Sequence, residues 1–489
     1  MSQTSGPDAR PASSGQNRIL AGLVLGMLAF TVVQTSVVPI LPSLAAAVHV
    51  SGSTVAWLMT ANLLAAAVLT PLLGRFGDLY GHKPMLLVSL GGLALGSVLA
   101  VSTDSFALLV VARVLQGAGG GVVPLAISVV RTRFPAPRIP SGIAAISASM
   151  GIGSALGLVV TGLLMEHWSY TSVFWAGLVF SVAAIVVTVV GVPRSTRTDP
   201  VGKADPLGAL TLAGWLCSFL IAVSEGNEWG WTSGRVVGLF AVAAVLGACW
   251  VVVELRVPYP LVSIRMLVNP VVAFTNLSGA LFGFGMYGCF LVISNFAQTP
   301  EKFAHYGFGA SVLGAGVMLL PSAVGSMVAA PVGARMIAGR GPRGPLMLGG
   351  LLSAVAMGFL AVANGHPADL YIASATFGFG LGLAYTAMPA AINSAVPAAQ
   401  SGIANGMNAV FRTVGGAVGT AVLGATLAGD TIEQLGLPTL GAYRQAFWIT
   451  AFCCLVAAAA PLAFRVRRDA RDTPREQLPH SDPAGETVS

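Results

Sequence analysis

Long apolar runs joined by short polar stretches make up most of the chain. A bilayer core of about 30 Å needs roughly 20 apolar residues per helical crossing. Runs of that length fall at 19–43, 53–74, 84–101, 105–130, 140–165 and 170–192. A polar stretch with Arg194, Arg197, Asp199, Lys203 and Asp205 follows, then two more runs at 207–226 and 234–253. After a join holding Arg256, Pro258, Pro260 and Arg265, six further runs lie at 270–294, 309–333, 345–364, 369–394, 402–427 and 444–464. The pattern predicts an all-α integral membrane protein with fourteen transmembrane helices, grouped six, two and six. The expected organisation is a polar tail (1–18), a six-helix bundle (19–192) and a linker with two additional transmembrane helices (193–269). A second six-helix bundle (270–465) and a charged, disordered tail (466–489) complete it.

Distribution of charge sets an orientation. With the N-terminus on the cytoplasmic side, twenty of the 25 Lys and Arg residues fall on the inner face, counting both tails. Arg235, Lys302 and Arg444 fall outside, and Arg113 and Arg412 lie within helices. That asymmetry is the positive-inside pattern, so both termini are expected in the cytoplasm and the protein in the cell membrane.

Composition narrows the function. The chain is 55% hydrophobic and only 9% charged, too apolar for a soluble protein. Its net charge of +7 is scattered through short joins and forms no nucleic-acid patch. Cys217, Cys249, Cys289, Cys453 and Cys454 all fall in apolar runs without C-x-x-C spacing, which argues against a disulfide framework or a zinc site. The six His fall in joins or tails, leaving no nucleophile–base pair or metal cluster for an enzyme. No cofactor or metal is expected. A receptor would need a folded signalling domain, for which the last residues are too few. The first run exceeds a secretory h-region and reads as a helix that directs insertion.

One charged segment stands out: Pro71-Leu-Leu-Gly74-Arg75-Phe-Gly77-Asp78-Leu-Tyr-Gly81-His-Lys83-Pro84. It reads as a tight gating loop between two buried helices, with Gly74, Gly77 and Gly81 allowing close packing and turning. Displaced by 260 residues, Pro71, Arg75, Gly81 and Lys83 recur as Pro331, Arg335, Gly341 and Arg343. At the same displacement, Ser141-Gly-Ile-Ala144 recurs as Ser401-Gly-Ile-Ala404. The two six-helix groups are therefore structural repeats. Ala338 stands where the first copy has Asp78, so the acid occurs once.

These residues resemble the major facilitator superfamily. The segment from Gly74 to Lys83 resembles its signature between the second and third helices. The run Arg113-Val-Leu-Gln116-Gly-Ala-Gly-Gly-Gly121-Val-Val-Pro124 resembles the fourth-helix motif of its drug:proton antiporters. Further likeness lies at 57–64, 225–231 and 406–424, and the six-two-six grouping points to the fourteen-helix branch. The resemblance implies a rocker-switch exporter of drugs or antibiotics working against inward proton flow. It also implies that Asp78 caps a helix N-terminus across the interface between halves and holds the outward-open state, the alternative being a charge that only keeps the loop soluble. The chain departs from the pattern at three places. The first helix reads Val33-Gln34-Thr35 where the branch often has Asp-x-Thr. In the fifth helix Gly153, Gly157 and Gly162 persist, but Leu158 replaces a proline. Tyr170-Thr171-Ser172 stands in place of Trp-Arg-Trp. An uncoupled uniporter or importer of a small metabolite is the alternative reading.

Ionisable groups inside a bilayer are costly and mark pathways. Asp8, Asp199, Asp205 and the tail acids are expected in solvent. Asp104, Glu166, Glu228, Glu301, Asp369, Asp430 and Glu433 are expected at or near external ends, Glu225 near an outer end and Glu254 near an inner one. None is expected at mid-membrane. Arg113 and Arg412 are the buried cations, either structural or part of a coupling switch with Gln116. Neutral candidates for a substrate cavity are Gln34, Thr35, Asn62, Gln116, Ser147, Asn276, Tyr287, Asn295, Asn405 and Asn408. Each alone reads as an interhelical hydrogen bond; together they suggest a mainly apolar pocket favouring neutral or weakly anionic amphiphiles. The expected partners are a small-molecule substrate, protons and the lipid bilayer, with the chain a monomer.

Overall fold

The computed structural model describes residues 13–193, 205–432 and 437–463. Most of the expected N-terminal tail, all of the tail expected to be disordered, and Arg194, Arg197, Asp199, Lys203 and Glu433 lie outside the described residues. Among the described residues fourteen helices are long and apolar enough to cross a membrane. The first six are α1 (Ser13–Ala47), α2 (Gly52–Tyr80), α3 (His82–Val101), α4 (Phe106–Arg133), α5 (Ile139–His167) and α6 (Thr171–Gly191). Next come α7 (Pro206–Trp229) and α8 (Gly234–Arg256). The last six are α9 (Pro270–Gln298), α10 (Val312–Arg340), α11 (Arg343–Val362), α12 (Pro367–Ala395), α13 (Ser401–Gly429) and α14 (Leu440–Ala459).

Several helices start where a short polar side chain can satisfy free N–H groups. Ser51, Ser233, Ser311 and Thr439 accept backbone hydrogen bonds at the starts of α2, α8, α10 and α14. Both α2 and α10 run further than their apolar residues predict, to Tyr80 and Arg340. Their basic and small residues continue the helix past the apolar core, as every backbone group stays internally bonded that way.

Lipid tails are as apolar as leucine, so close packing between helices supplies the cohesion. One packed cluster joins α1 to α6 through Met27, Leu90, Val122 and Ala184, among others. A second joins α9 to α14, where Phe296 meets Tyr443 edge-on at 5.2 Å and Phe447 at 6.2 Å. The halves meet along two seams that the 260-residue repeat relates to each other, α2 with α13 and α5 with α10. α7 lies against both α2 and α13 through Leu220, Val223, Ala67, Ala417 and Ala421. α8 packs mainly on α7 and is the least covered of the fourteen.

Asp205 is not in solvent as its polar surroundings suggested. It is buried, and its Oδ1 accepts from Gly208 N at 2.9 Å, capping α7. Glu254 of α8 is buried beside it and accepts from Trp250 Nε1 and Val262 N, both at 3.0 Å. Together these acids fasten the ends of the α7–α8 hairpin.

Candidate functional site

The segment expected as a loop is almost entirely helical. Gly74, Arg75 and Asp78 belong to the last turns of α2, and Lys83 to the first turn of α3; Gly81 alone joins them. Its φ of +102° is open to glycine and strained for other residues, which lets two helices meet across one residue. Gly77 instead packs against Leu125 of α4. Gly74 meets α13 so closely that a Cβ there would lie 2.6 Å from Gly402 O; the reverse distance, from Gly402 to Gly74 O, is 2.5 Å.

That approach delivers Asp78 to the start of α13. Its carboxylate, only 1% exposed, accepts from Gly402 N through Oδ1 and from Ile403 N through Oδ2, both at 3.1 Å. Two free N–H groups and the positive end of the helix dipole thus face one anion from the other half. His82, one turn along the chain, places Nε2 3.3 Å from the same Oδ1.

Arg131, at the end of α4, reaches the other half as well. Its Nη2 donates to Asn393 O (2.5 Å) and Val396 O (2.7 Å), and its Nη1 to Asn393 Oδ1 and Pro397 O, both at 3.3 Å. These carbonyls close the C-terminal end of α12, where the dipole favours a cation. The first half therefore holds an anion on the start of α13 and a cation on the end of α12. Arg131 was absent from the sequence-derived candidates and counted only toward orientation. Its signal, a basic residue closing the last turn of a helix, is common to many loops and does not name a partner.

Lys83 Nζ donates to Val189 O, at the end of α6, at 2.8 Å. Its repeat counterpart Arg343 donates to Leu462 O just past α14, at 3.4 Å. Both therefore fasten one bundle internally. Arg75 makes no hydrogen bond or ion pair among the described residues.

Arg113 is enclosed in a neutral network. Its Nε donates to Leu58 O (3.2 Å), Nη1 to Gln116 Oε1 (2.8 Å) and Nη2 to Met59 Sδ (3.7 Å), while Gln116 donates to Ser97 Oγ (3.1 Å). Asn62 closes the network by donating to Arg113 O at 2.9 Å. The arrangement ties α2, α3 and α4 together; it places Arg113, Gln116 and Asn62 in one cluster whose hydrogen-bond partners all belong to the first half.

Arg412 is placed differently. It lies mid-way along α13 with its guanidinium 4.8 Å above the Tyr385 ring of α12. Tyr287 of α9 packs over Gly416, one turn further along. Tyr385 Oη donates to Met286 Sδ at 3.2 Å, and Ser147 of α5 donates to Tyr385 O at 3.2 Å. Met150, one turn from Ser147, packs against the second-half core. Residues from four helices and both halves converge here.

The other cavity candidates do not join them. Asn408 donates to Asn276 Oδ1 (3.1 Å) and Thr275 O (3.3 Å), holding α13 to α9. Asn405 belongs to a cluster with Asn393 and Ser401 beside the Arg131 contacts. Asn295 is exposed near the far end of α9. Thr35 donates to Thr31 O and Ser154 O, and Gln34 is half-buried without a hydrogen-bond partner among the described residues. Gly153 and Gly157 sit against Thr31 and Thr35, packing α5 onto α1, while Gly162 meets Leu313 of α10. Among the described residues no group of three or more His, Cys, Asp or Glu could hold a metal ion.

A family model described as Major Facilitator Superfamily matches residues 23–420 and 307–486. The tetracenomycin C resistance and export protein of Streptomyces glaucescens is 29% identical over 454 residues, covering 90% of this chain and 83% of that protein. A multidrug resistance protein B homologue of Mycobacterium tuberculosis is 28% identical over 385 residues, 76% of this chain and 69% of its own. Among solved structures, a human organic anion transporter superposes with a TM-score of 0.62 at 17% identity, covering 90% of this chain and 99% of its own. A proton:xylose symporter superposes at 0.63 and 13%, covering 91% and 95%. At those identities the structures share the fold.

Proposed function

Because the chain belongs to the Major Facilitator Superfamily, a family of membrane transporters rather than enzymes, we propose that it exports drugs, antibiotics or similar amphiphilic molecules by alternating access, driven by the proton gradient. The single observation that carries the reading is the Asp78 carboxylate of one half seated on the first N–H groups of α13 in the other. An interaction made between halves on one face only contributes to whichever state closes that face, so it biases the equilibrium between states. The positive-inside count makes that face cytoplasmic, with both termini there, and the closed inner face leaves the substrate path open outward. The relatives' names favour efflux: one exports tetracenomycin C and another is a multidrug resistance homologue. The chain acts as a monomer in the cell membrane, since each half already finds its partner within the chain.

A second reading, an uncoupled carrier, is favoured by Val33. It is buried in the first-half core against Gly177, so the first helix offers no carboxylate at that position. Purified protein in proteoliposomes separates the two. Export predicts that dye movement rises when a pH gradient is imposed and collapses with a protonophore. Movement down the dye gradient alone, indifferent to pH, would assign the uncoupled carrier.

A further inference from the structure

We propose that Arg412 is the recognition point for an acidic group on an aromatic substrate, with Tyr385 and Tyr287 receiving the ring system. The proposal rests on the transporter reading and narrows its cargo to aromatic amphiphiles bearing a carboxylate or an acidic phenol.

Three observations carry it. First, Arg412 lies eleven residues from the start of α13 and seventeen from its end, about 16 and 25 Å of helix rise. A permanent cation at that depth is costly and calls for compensation. Second, that compensation is incomplete. Among the described residues no carboxylate lies within ion-pair distance, and none of the five N–H donors makes a hydrogen bond. The Tyr385 face 4.8 Å away is a favourable partner, but it accepts no hydrogen bond from the fork. Arg113 is the contrast within the same chain: its guanidinium is satisfied by Leu58, Gln116 and Met59. Third, Arg412 is half-buried, and the Tyr385 beneath it is tied to the first half, its backbone O accepting from Ser147 of α5. Glycines bring α9 and α13 into direct contact here: a Cβ at Gly283 would strike Arg412 O, and one at Gly416 would strike the Tyr287 ring. A planar donor fork over the Tyr385 ring, with Tyr287 one turn further along α13, matches a planar acid carried on an arene.

The test compares two dyes that share a xanthene ring and differ in charge, anionic fluorescein and cationic rhodamine 123. Binding to purified full-length protein is read by fluorescence anisotropy. Wild type binds fluorescein more tightly than rhodamine 123. Arg412→Gln weakens fluorescein about 10–100-fold, the range of a charge-assisted hydrogen bond, and leaves rhodamine 123 unchanged or tighter. Arg412→Lys, which keeps the charge without the fork, falls between and serves if the Gln variant does not fold. Equal weakening of both dyes, unchanged fluorescein binding in Arg412→Gln, or no fluorescein binding by wild type would each overturn the proposal. Export is scored separately, as dye flux in proteoliposomes under a pH gradient. Loss of that flux refutes the transport reading without altering the binding comparison.

Discussion

Replacing Asp78 by Asn isolates the contact between halves, because the side chain keeps its shape and loses its charge. In the structure two backbone donors, Gly402 N and Ile403 N, each lie 3.1 Å from separate carboxylate oxygens. Asparagine can accept from one; its amide turns a donor toward the other, leaving an N–H unsatisfied. Hydrogen bonds to a charged group contribute about 1.5–3 kcal/mol each, and the helix dipole adds about 0.3–1 kcal/mol. Losing one bond, weakening the other and removing the dipole attraction amounts to about 2–4 kcal/mol. The side chain is 1% exposed, so solvent screening removes little of this. On the proposed alternating-access cycle these bonds form only when this seam is closed, so the ratio of closed to open shifts about 30- to 1000-fold at 1.4 kcal/mol per tenfold. Spin labels at Tyr80 (54% exposed) and the exposed Ala399, in a background with the exposed Cys249 replaced by Ser, report the seam width. The Asp78→Asn distance distribution should move to longer separations, and dye export should be lost at normal membrane abundance. Wild-type distances together with near-normal export would refute the reasoning.

Gly402→Ala should open the same seam, since its Cβ would lie 2.5 Å from Gly74 O and 2.7 Å from Asp78 Oδ1; Gly91→Ala, where nothing lies within 4 Å, should leave distances and export unchanged. Arg131→Gln should also shift the labels apart, and combining it with Asp78→Asn should cost less export than the two effects summed, because both act on one closed state; a double-mutant cycle measures the coupling. Arg113→Met should lower stability in detergent by about 1–3 kcal/mol, since it strands Gln116 Oε1 in a buried site and removes the bond to Leu58 O. Its folded fraction should keep the wild-type seam width.

Much of the architecture was legible in one dimension. Bilayer thickness fixes helix length, so fourteen apolar runs mark fourteen crossings, and a 260-residue offset exposes the two related halves. The acid on one copy and its absence at Ala338 singled out Asp78, because a lone anion among basic residues is unusual in a chain 9% charged. What those runs hide is which faces meet. Asparagines at 276, 405 and 408 read alone as interhelical hydrogen bonds and as a set as cavity lining; the structure pairs Asn408 with Asn276 across α13 and α9, and Asn405 with Asn393 across α13 and α12. Arg113 and Arg412 are indistinguishable as isolated cations in apolar runs. Folding surrounds the first with acceptors from α2 and α4 and sets the second over a tyrosine with its donors free. The segment around Asp78 read as a loop because its charges and glycines resemble one, yet Gly74 and Gly77 serve neighbours far away in sequence and only Gly81 makes the turn. Hydrophobic spacing is a local property and survives in the sequence; hydrogen-bond partners 262 or 324 residues apart, such as Arg131 with Asn393 and Asp78 with Gly402, exist only once the helices have packed.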